Sequence, residues 1–385
     1  MARKNKKGEI LNNQNSDGEQ LEIPSNKDSD TSANKMAREL PVYSSRRLFR
    51  AISISGLIVA CILIALLALT VGSVGIPFKT VWQILISHLP FVNLHGDWAA
   101  TTDMIITGIR LPRILMAGIV GAALGTAGAT YQGLFRNPLA DPYLIGVAQG
   151  AALGAVIGFI LPWTFGGNYL IPILAFAGAV IAVSVVYLIA RVGKTLPMTT
   201  LILAGVAIGS LLMSITAYLT MISADKVRSI LSWLMGNFSS SSWDQLRIIS
   251  PYIVIGIVVI FLFARPLNVM QLDEEQAQQL GINVERTKLI LLAAATLITA
   301  AAVCFVGTIG FVGIIVPHIV RLIWGPDHRS LLPLSAITGA ILLILADTAS
   351  RTLMAPSEIP VGVITAFLGA PFFLFLLRRT KKAVF

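Results

Sequence analysis

Three arginines, Arg110, Arg113 and Arg351, are the residues of this chain best equipped to hold something, because each stands beside a long apolar run. A guanidinium presents a rigid fork that matches a carboxylate bidentately. Two quieter uses compete with that one. A basic side chain at the end of an apolar helix can snorkel, and Asp347 stands one helical turn before Arg351, close enough to pair with it. The remaining reactive side chains offer less. His318 in PHIVR and His328 in DHR have no second histidine, cysteine or carboxylate at ligand spacing, so no metal site is expected. Cys61 and Cys304 lie far apart in apolar runs and read as small buried hydrophobes. The tetrapeptide VGKT, Val192 to Thr195, mimics the end of a phosphate loop. That motif needs glycine five positions before Gly193, where Leu188 stands. No catalytic residue and no cofactor is expected, and any nucleotide chemistry must belong to another chain.

The elements that position these groups are set by composition. Of 385 residues, 55% are hydrophobic and 12% charged, half the charge of an ordinary soluble protein. The reading is an all-α polytopic membrane protein with ten spans. They lie near 50–73, 111–133, 144–161, 169–190, 199–221, 248–264, 288–307, 309–323, 331–350 and 361–377. A net charge of +10 does not imply nucleic acid, because the basic residues are scattered between apolar spans rather than gathered in a patch. Alternating the spans puts most Lys and Arg on the side of both termini, which predicts cytoplasmic termini in a cell-membrane protein. Residues 1–45, rich in Asn, Ser, Asp, Glu and Lys, read as a disordered cytoplasmic tail, and 46–385 as the membrane domain.

The most informative stretch runs from Arg110 to Gly150. Ala117, Gly121, Gly125 and Ala129 fall four apart, as do Gly146, Gly150, Gly154 and Gly158, so two helices carry nearly bare faces for close packing. Between them Asn137-Pro138 and Asp141-Pro142 break the run with helix-start chemistry. Irregular backbone at membrane depth is tolerated where it faces protein or a wet cavity, so this hairpin reads as a pathway wall. Gln132 and Gln149 could line that path or bond between helices. LIPILAFAGAV from Leu170 and LLPLSAITGAI from Leu331 match in spacing, a weak sign of an inverted five-plus-five repeat. Phe78 to Ile86 and Val227 to Leu234 read as interfacial amphipathic helices anchored by Trp82 and Trp233.

The wording RLPR…GAALGTAGATYQGLFRNPLADPYLIGV, with GFVGIIVPHIVRL, HRSLLPLSAITGAILLILADTASR and EIPVGVITAFLGAPFFLFLLRR, resembles the permease subunits of ABC importers for iron–siderophore complexes, haem and cobalamin. The likeness covers roughly residues 50 to 380. It implies a dimer of permease chains, identical or related, with two ATP-binding subunits and an extracellular substrate-binding protein or lipoprotein, in contact with membrane lipid. It further implies that Arg110, Arg113 and Arg351 dock acidic residues of the binding protein. Leu267 to Arg286 would be the coupling segment on the ATPase, with Glu274, Ala277, Leu280 and Gly281 in contact. Asn137, Pro138 and Leu139 would meet Met198, Thr199 and Thr200 at an inner gate, and Val227 to Leu234 would form an outer lid. Asn137 could equally serve only as a cap, and the threonines could bond only to backbone. The rival class is an ion- or proton-coupled transporter, which usually buries carboxylates or histidines deep in its spans; these spans hold almost none.

Overall fold

Apolar runs of twenty or more residues satisfy their own backbone as helices, and in the computed structural model the described residues are almost entirely helical. The structure describes residues 42–381 apart from 73, 90–95, 97 and 162–166. The expected disordered tail lies almost wholly outside them. The chain divides into a short unit, Met1–Ala51, and a unit Ile52–Phe385 that holds every group discussed below. In order, the helices are α1 (Val42–Thr70), α2 (Phe78–Ser87), α3 (Ala100–Met104), α4 (Leu111–Leu134), α5 (Val147–Ile160), α6 (Leu170–Ala190) and α7 (Met198–Ile222). There follow α8 (Val227–Leu234), α9 (Trp243–Leu262), α10 (Ala264–Met270), α11 (Glu274–Gln279), α12 (Val284–Val306), α13 (Val312–Trp324), α14 (His328–Ser350) and α15 (Val361–Lys381). A wide π-helical turn, Ile105–Arg110, joins α3 to α4 into one 35-residue apolar helix.

Among the described residues seven helices are long and apolar enough to cross a membrane, and three shorter apolar ones, in α5, α13 and α15, complete the ten expected runs. The short ones matter. At 14 and 13 residues, α5 and α13 rise about 21 and 20 Å, well under the roughly 30 Å hydrocarbon core. Both start at a left-handed residue, Gly146 (φ 86°) and Phe311 (φ 69°).

The bare helix faces pack as their spacing demands. A Cβ on Gly121 would lie 2.2 Å from the Gly339 carbonyl oxygen, and one on Gly125 2.4 Å from that of Ser335, so α4 and α14 touch backbone to backbone. In the same way Gly150 and Gly154 meet the carbonyls of Gly178 and Leu174 across α5 and α6. These are contacts that only glycine permits. The ridges are therefore spent on neighbouring helices. Of the two breaks, Asp141 caps a 3-10 turn, Pro142–Ile145, its Oδ1 accepting from Tyr143 N at 2.7 Å. Asn137 starts only a turn, its Oδ1 accepting from Leu139 N at 2.9 Å. The amphipathic segments form α2 and α8 as expected, with Val81, Ile84 and Ile230 fully buried.

Candidate functional site

The three arginines converge at one end of the bundle, buried at 5%, 7% and 6% exposure, and each is committed inward. Arg113 donates from Nη1 and Nη2 to the two carboxylate oxygens of Glu358 at 2.9 and 3.0 Å, a fork-on-fork pair. Its Nε donates to Oδ1 of the fully buried Asp347 at 2.9 Å. Asp347 Oδ2 lies 3.2 Å from Arg351 Nε, the local pair that the one-turn spacing suggested. Arg351 also donates to the carbonyls of Ala68 at 2.9 Å and Val71 at 3.1 Å. Arg110 donates to the carbonyls of Leu69, at 2.7 Å, and Val74.

These acceptors account for the end of α1. The last four carbonyls of a helix have no intrahelical partner. Here Leu67 accepts from the Thr70 hydroxyl, Ala68 from Arg351, Leu69 from Arg110 and Thr70 from Ile76 N. Two guanidiniums thus serve as the C-terminal cap of the first span. Burial pulls the Arg351 guanidinium below its ordinary value, and Asp347 opposes that pull. Sequence reasoning missed both the cap and Glu358. Backbone acceptors carry no side-chain signature, and Glu358 stands in the non-helical stretch before α15.

The broken hairpin lines a cleft of about 400 Å³ together with α7 and the start of α13. Asp141, Tyr143 and Gln149 face it from one side, Gly205, Ser210 and Met213 from α7, and Phe311 from the turn before α13. Close approach of α7 depends on Gly205, where a Cβ would fall 2.3 Å from the Leu144 carbonyl. Tyr143 fastens the two breaks together, its hydroxyl donating to Ile309 O at 3.0 Å and accepting from Ile309 N at 3.2 Å. Burial pushes the Asp141 carboxyl up to about 6 against the bond from Tyr143 N, and pushes the Tyr143 phenol up as well.

The two candidate path glutamines separate. Gln149 faces the cleft with a buried Oε1 that has no hydrogen-bond partner among the described residues. Gln132, 2% exposed, is spent between helices: its Nε2 donates to the Gly313 and Ile314 carbonyls, and its Oε1 accepts from Arg321 at 2.8 Å. Asn137 and Pro138 are exposed, and Asn137 bonds within its own turn. Met198, Thr199 and Thr200 form the first turn of α7, which this hairpin meets through Leu144 and Ile145 at Gly205.

At the opposite end of the bundle, the polar segment before α12 folds as two short helices, α10 and α11. Asp273 divides them by capping α11, its Oδ1 accepting from Glu274 N at 2.7 Å. Gly281 follows as a left-handed stop (φ 82°) with open space around it. Glu274 is tied to the buried Lys288 at 2.8 Å, and Ala277 is fully buried. The surface offered outward includes Leu272, Leu280 and Gly281 beside the exposed Glu275, Gln276, Gln278 and Gln279, with both leucines about two-thirds exposed. His328 donates from Nδ1 to Asn268 Oδ1 (2.8 Å) at the base of α14, and no group of three or more potential metal ligands occurs among the described residues.

Residues 58–379 match the FecCD transport family. The chain is 49% identical over 278 residues to the cobalamin import system permease protein BtuC of Halobacterium salinarum, covering 72% of this chain and 74% of that one. It is 38% identical to the hemin transport system permease protein HmuU of Yersinia pestis, over 85% of this chain and 95% of that one. Among solved structures it is similar to one described as an inward-facing metal-chelate type ABC transporter, with a TM-score of 0.72 and 31% identity, over 85% of this chain and 98% of that one.

Proposed function

Because the chain belongs to the FecCD transport family, we propose that it is the membrane-spanning permease subunit of an ABC importer for a cobalamin, haem or iron-chelate cargo. The observation that carries this is the cleft bounded by broken backbone from both halves of the chain, at Asp141–Gly146 and at Thr308–Phe311. Lipid-facing irregular backbone would leave unsatisfied polar groups, so such a break belongs on a solute path. The cleft is one wall. A second permease chain, identical or related, supplies the other, and both termini lie in the cytoplasm. The rival, ion-coupled reading needs a titratable group on the path within the spans. The carboxylate that a span does bury, Asp347, is held between Arg113 and Arg351 instead.

Hydrolysis of ATP is the work of two partner subunits, docked on the surface formed by Leu272, Leu280 and Gly281. Glu274 acts there by fixing α11 to Lys288, and Ala277 by packing beneath it. A substrate-binding lipoprotein engages the opposite end around Arg110, Arg113 and Arg351. Since Glu358 already fills the Arg113 fork, acidic groups of that partner meet the cluster from the Glu358 side, where the carboxylate is 39% exposed. Asn137, Pro138 and Leu139 with Met198, Thr199 and Thr200 form the inner constriction below the cleft.

Reconstitution of the permease with its ATPase and binding protein tests the whole reading. Cargo accumulation should require ATP and binding protein; accumulation driven by a proton gradient without ATP would overturn it. Gly281→Pro supplies the coupling test. Proline is locked near φ −65° and cannot adopt φ 82°, so the stop is lost. ATP hydrolysis should persist while uptake falls by roughly tenfold or more, and retention of both would remove α11 from the coupling surface.

A further inference from the structure

The seam between α6 and α12 carries an apolar cleft of about 510 Å³, lined by Val180, Tyr187 and Leu188 on one side and Leu289 and Leu292 on the other. Both helices are spans, and Leu188 and Leu289 are 68% and 43% exposed along this face. The polar side chains inside the groove are mostly spent internally. Ser184 donates to Val180 O at 2.7 Å, and Thr296 is bonded to Tyr131 at 3.1 Å. What remains is hydrocarbon surface from Val180 to Leu188. By helical rise that is about 12 Å, against roughly 15 Å for one leaflet of hydrocarbon.

One end of this groove is basic, and the fold holds that charge in place. Arg191 closes α6 three residues beyond Leu188, and Arg286 stands in the first turn of α12 three residues before Leu289, so both lie at the mouth. Lys194 sits at the tip of the turn between α6 and α7, and all three side chains are exposed. That turn is bolted to α12: Leu196 N donates to Glu285 at 2.8 Å, and Lys288 donates to Leu196 O at 3.3 Å. Lys288 pairs with both acidic groups facing the turn, Glu285 at 3.0 Å and Glu274 at 2.8 Å, so one net negative charge stands there against the three exposed cations. Arg191 uses only Nε on its own turn, at Gly193 O, leaving its Nη groups to face outward. Among the described residues the Tyr187 hydroxyl, one turn inside the mouth, has no hydrogen-bond partner.

A headgroup with negative charge and an acyl tail fits this combination; an inorganic anion uses only half of it. We infer that the α6–α12 seam is a binding site for one anionic phospholipid, its phosphodiester held by Arg191, Lys194 and Arg286 and one acyl chain laid along Leu188, Leu289 and Leu292. Basic residues attract an anionic headgroup near the membrane surface, so the site discriminates by charge as well as by shape. The alternative for these residues, a general orientation signal, requires no stoichiometric lipid.

Native mass spectrometry of the intact permease titrated with phosphatidylglycerol or phosphatidylcholine in detergent decides the matter. The expected result is one retained phosphatidylglycerol per chain, preferred roughly tenfold over phosphatidylcholine. The double variant Arg191→Gln/Arg286→Gln should abolish the preference. Ala293→Trp, which fills the groove without touching a charge, should abolish retention, and inorganic phosphate should not displace the lipid. Equal retention of both lipids, adducts unchanged in either variant, or displacement by phosphate would overturn the site. So would a disulfide between two copies through Leu188→Cys, since a second chain would then cover the groove.

Discussion

Asp347→Asn is the perturbation that separates the structural from the recognition role of the arginine cluster. The carboxylate is fully buried and lies 2.8 Å from Arg113 Nη2, 2.9 Å from Arg113 Nε and 3.2 Å from Arg351 Nε. The amide keeps the volume but turns one acceptor into a donor facing a guanidinium, and it removes the charge that two buried cations share. Glu358 compensates at Arg113 alone, and Arg351 retains the Ala68 and Val71 carbonyls and a longer bond, 3.4 Å, to Thr348 Oγ1. Removing one partner of a buried pair costs about 3–5 kcal/mol, and that loss should lower the melting temperature of the detergent-purified permease on the order of 10 °C. Because Arg351 and Arg110 cap α1, the first span should become the most accessible to limited proteolysis near Val71–Val74. Glu358→Gln is the companion. Its carboxylate is 39% exposed, so melting should move little, while affinity for the proposed binding protein should rise as the Arg113 fork is freed. An Asp347→Asn protein melting within about 2 °C of its parent would refute the claim that this carboxylate holds the cluster together. Unchanged affinity in Glu358→Gln would take Arg113 out of the docking surface.

Two further outcomes follow from geometry and charge. Gly154→Ala places a Cβ 2.0 Å from the Leu174 carbonyl oxygen, so α5 and α6 must separate at a cost of about 1–3 kcal/mol. Gly56→Ala, with nothing within 4 Å, should instead gain up to about 1 kcal/mol from helix propensity, and melting curves of the two variants should move in opposite directions. The Asp141 carboxyl, raised to about 6 from an ordinary 3.8, binds a proton in the folded chain that the unfolded chain releases between those values. Its contribution therefore becomes more favourable as pH falls through 6 and less so as pH rises above it; the stability gap between parent and Asp141→Asn should shift in that direction between pH 5 and pH 7.5, and a gap independent of pH would show the carboxyl to be fully solvated.

The sequence made helix faces legible and left helix partners dark, for a physical reason. A four-residue glycine spacing states that a helix has a bare side, and the structure spends both bare sides on backbone contacts. Spacing says nothing about which helix comes to meet it. The matched segments from Leu170 and Leu331 show this directly. Leu174 and Gly178 on α6 receive Gly154 and Gly150 of the preceding helix, whereas the equivalent Ser335 and Gly339 on α14 receive Gly125 and Gly121 from the other half of the chain. The repeat conserves the groove and exchanges the occupant. The arginines illustrate the same limit from the side of polarity. Their type and position announced bidentate carboxylate binding, and Arg113 does it, but the acceptors that orient Arg110 and Arg351 are carbonyls of residues 68–74, which any apolar sequence would supply.

Phe311 shows where local preference yields to the site. A phenylalanine at φ 69° carries strain of roughly 1–2 kcal/mol that glycine would relieve, and glycines already flank the position at Gly310 and Gly313. The packing below accommodates the ring only because residue 369 is glycine, where a Cβ would sit 2.4 Å from it. Side chain and strain are therefore kept together, with the ring set against Gly369 while Phe311 lines the cleft shared with Gly205 and Ser210 of α7. The corresponding break before α5 uses Gly146 without strain and delegates its side chain to Tyr143, which reaches across to Ile309. Each half of the chain thus interrupts a span with a left-handed residue and sets an aromatic ring beside the interruption. Two unrelated breaks would have no reason to share a hydrogen bond, and a lipid-facing break would not tolerate one polar enough to need it. The pairing of Tyr143 with Ile309 is what joins the two breaks into one wall of the cleft.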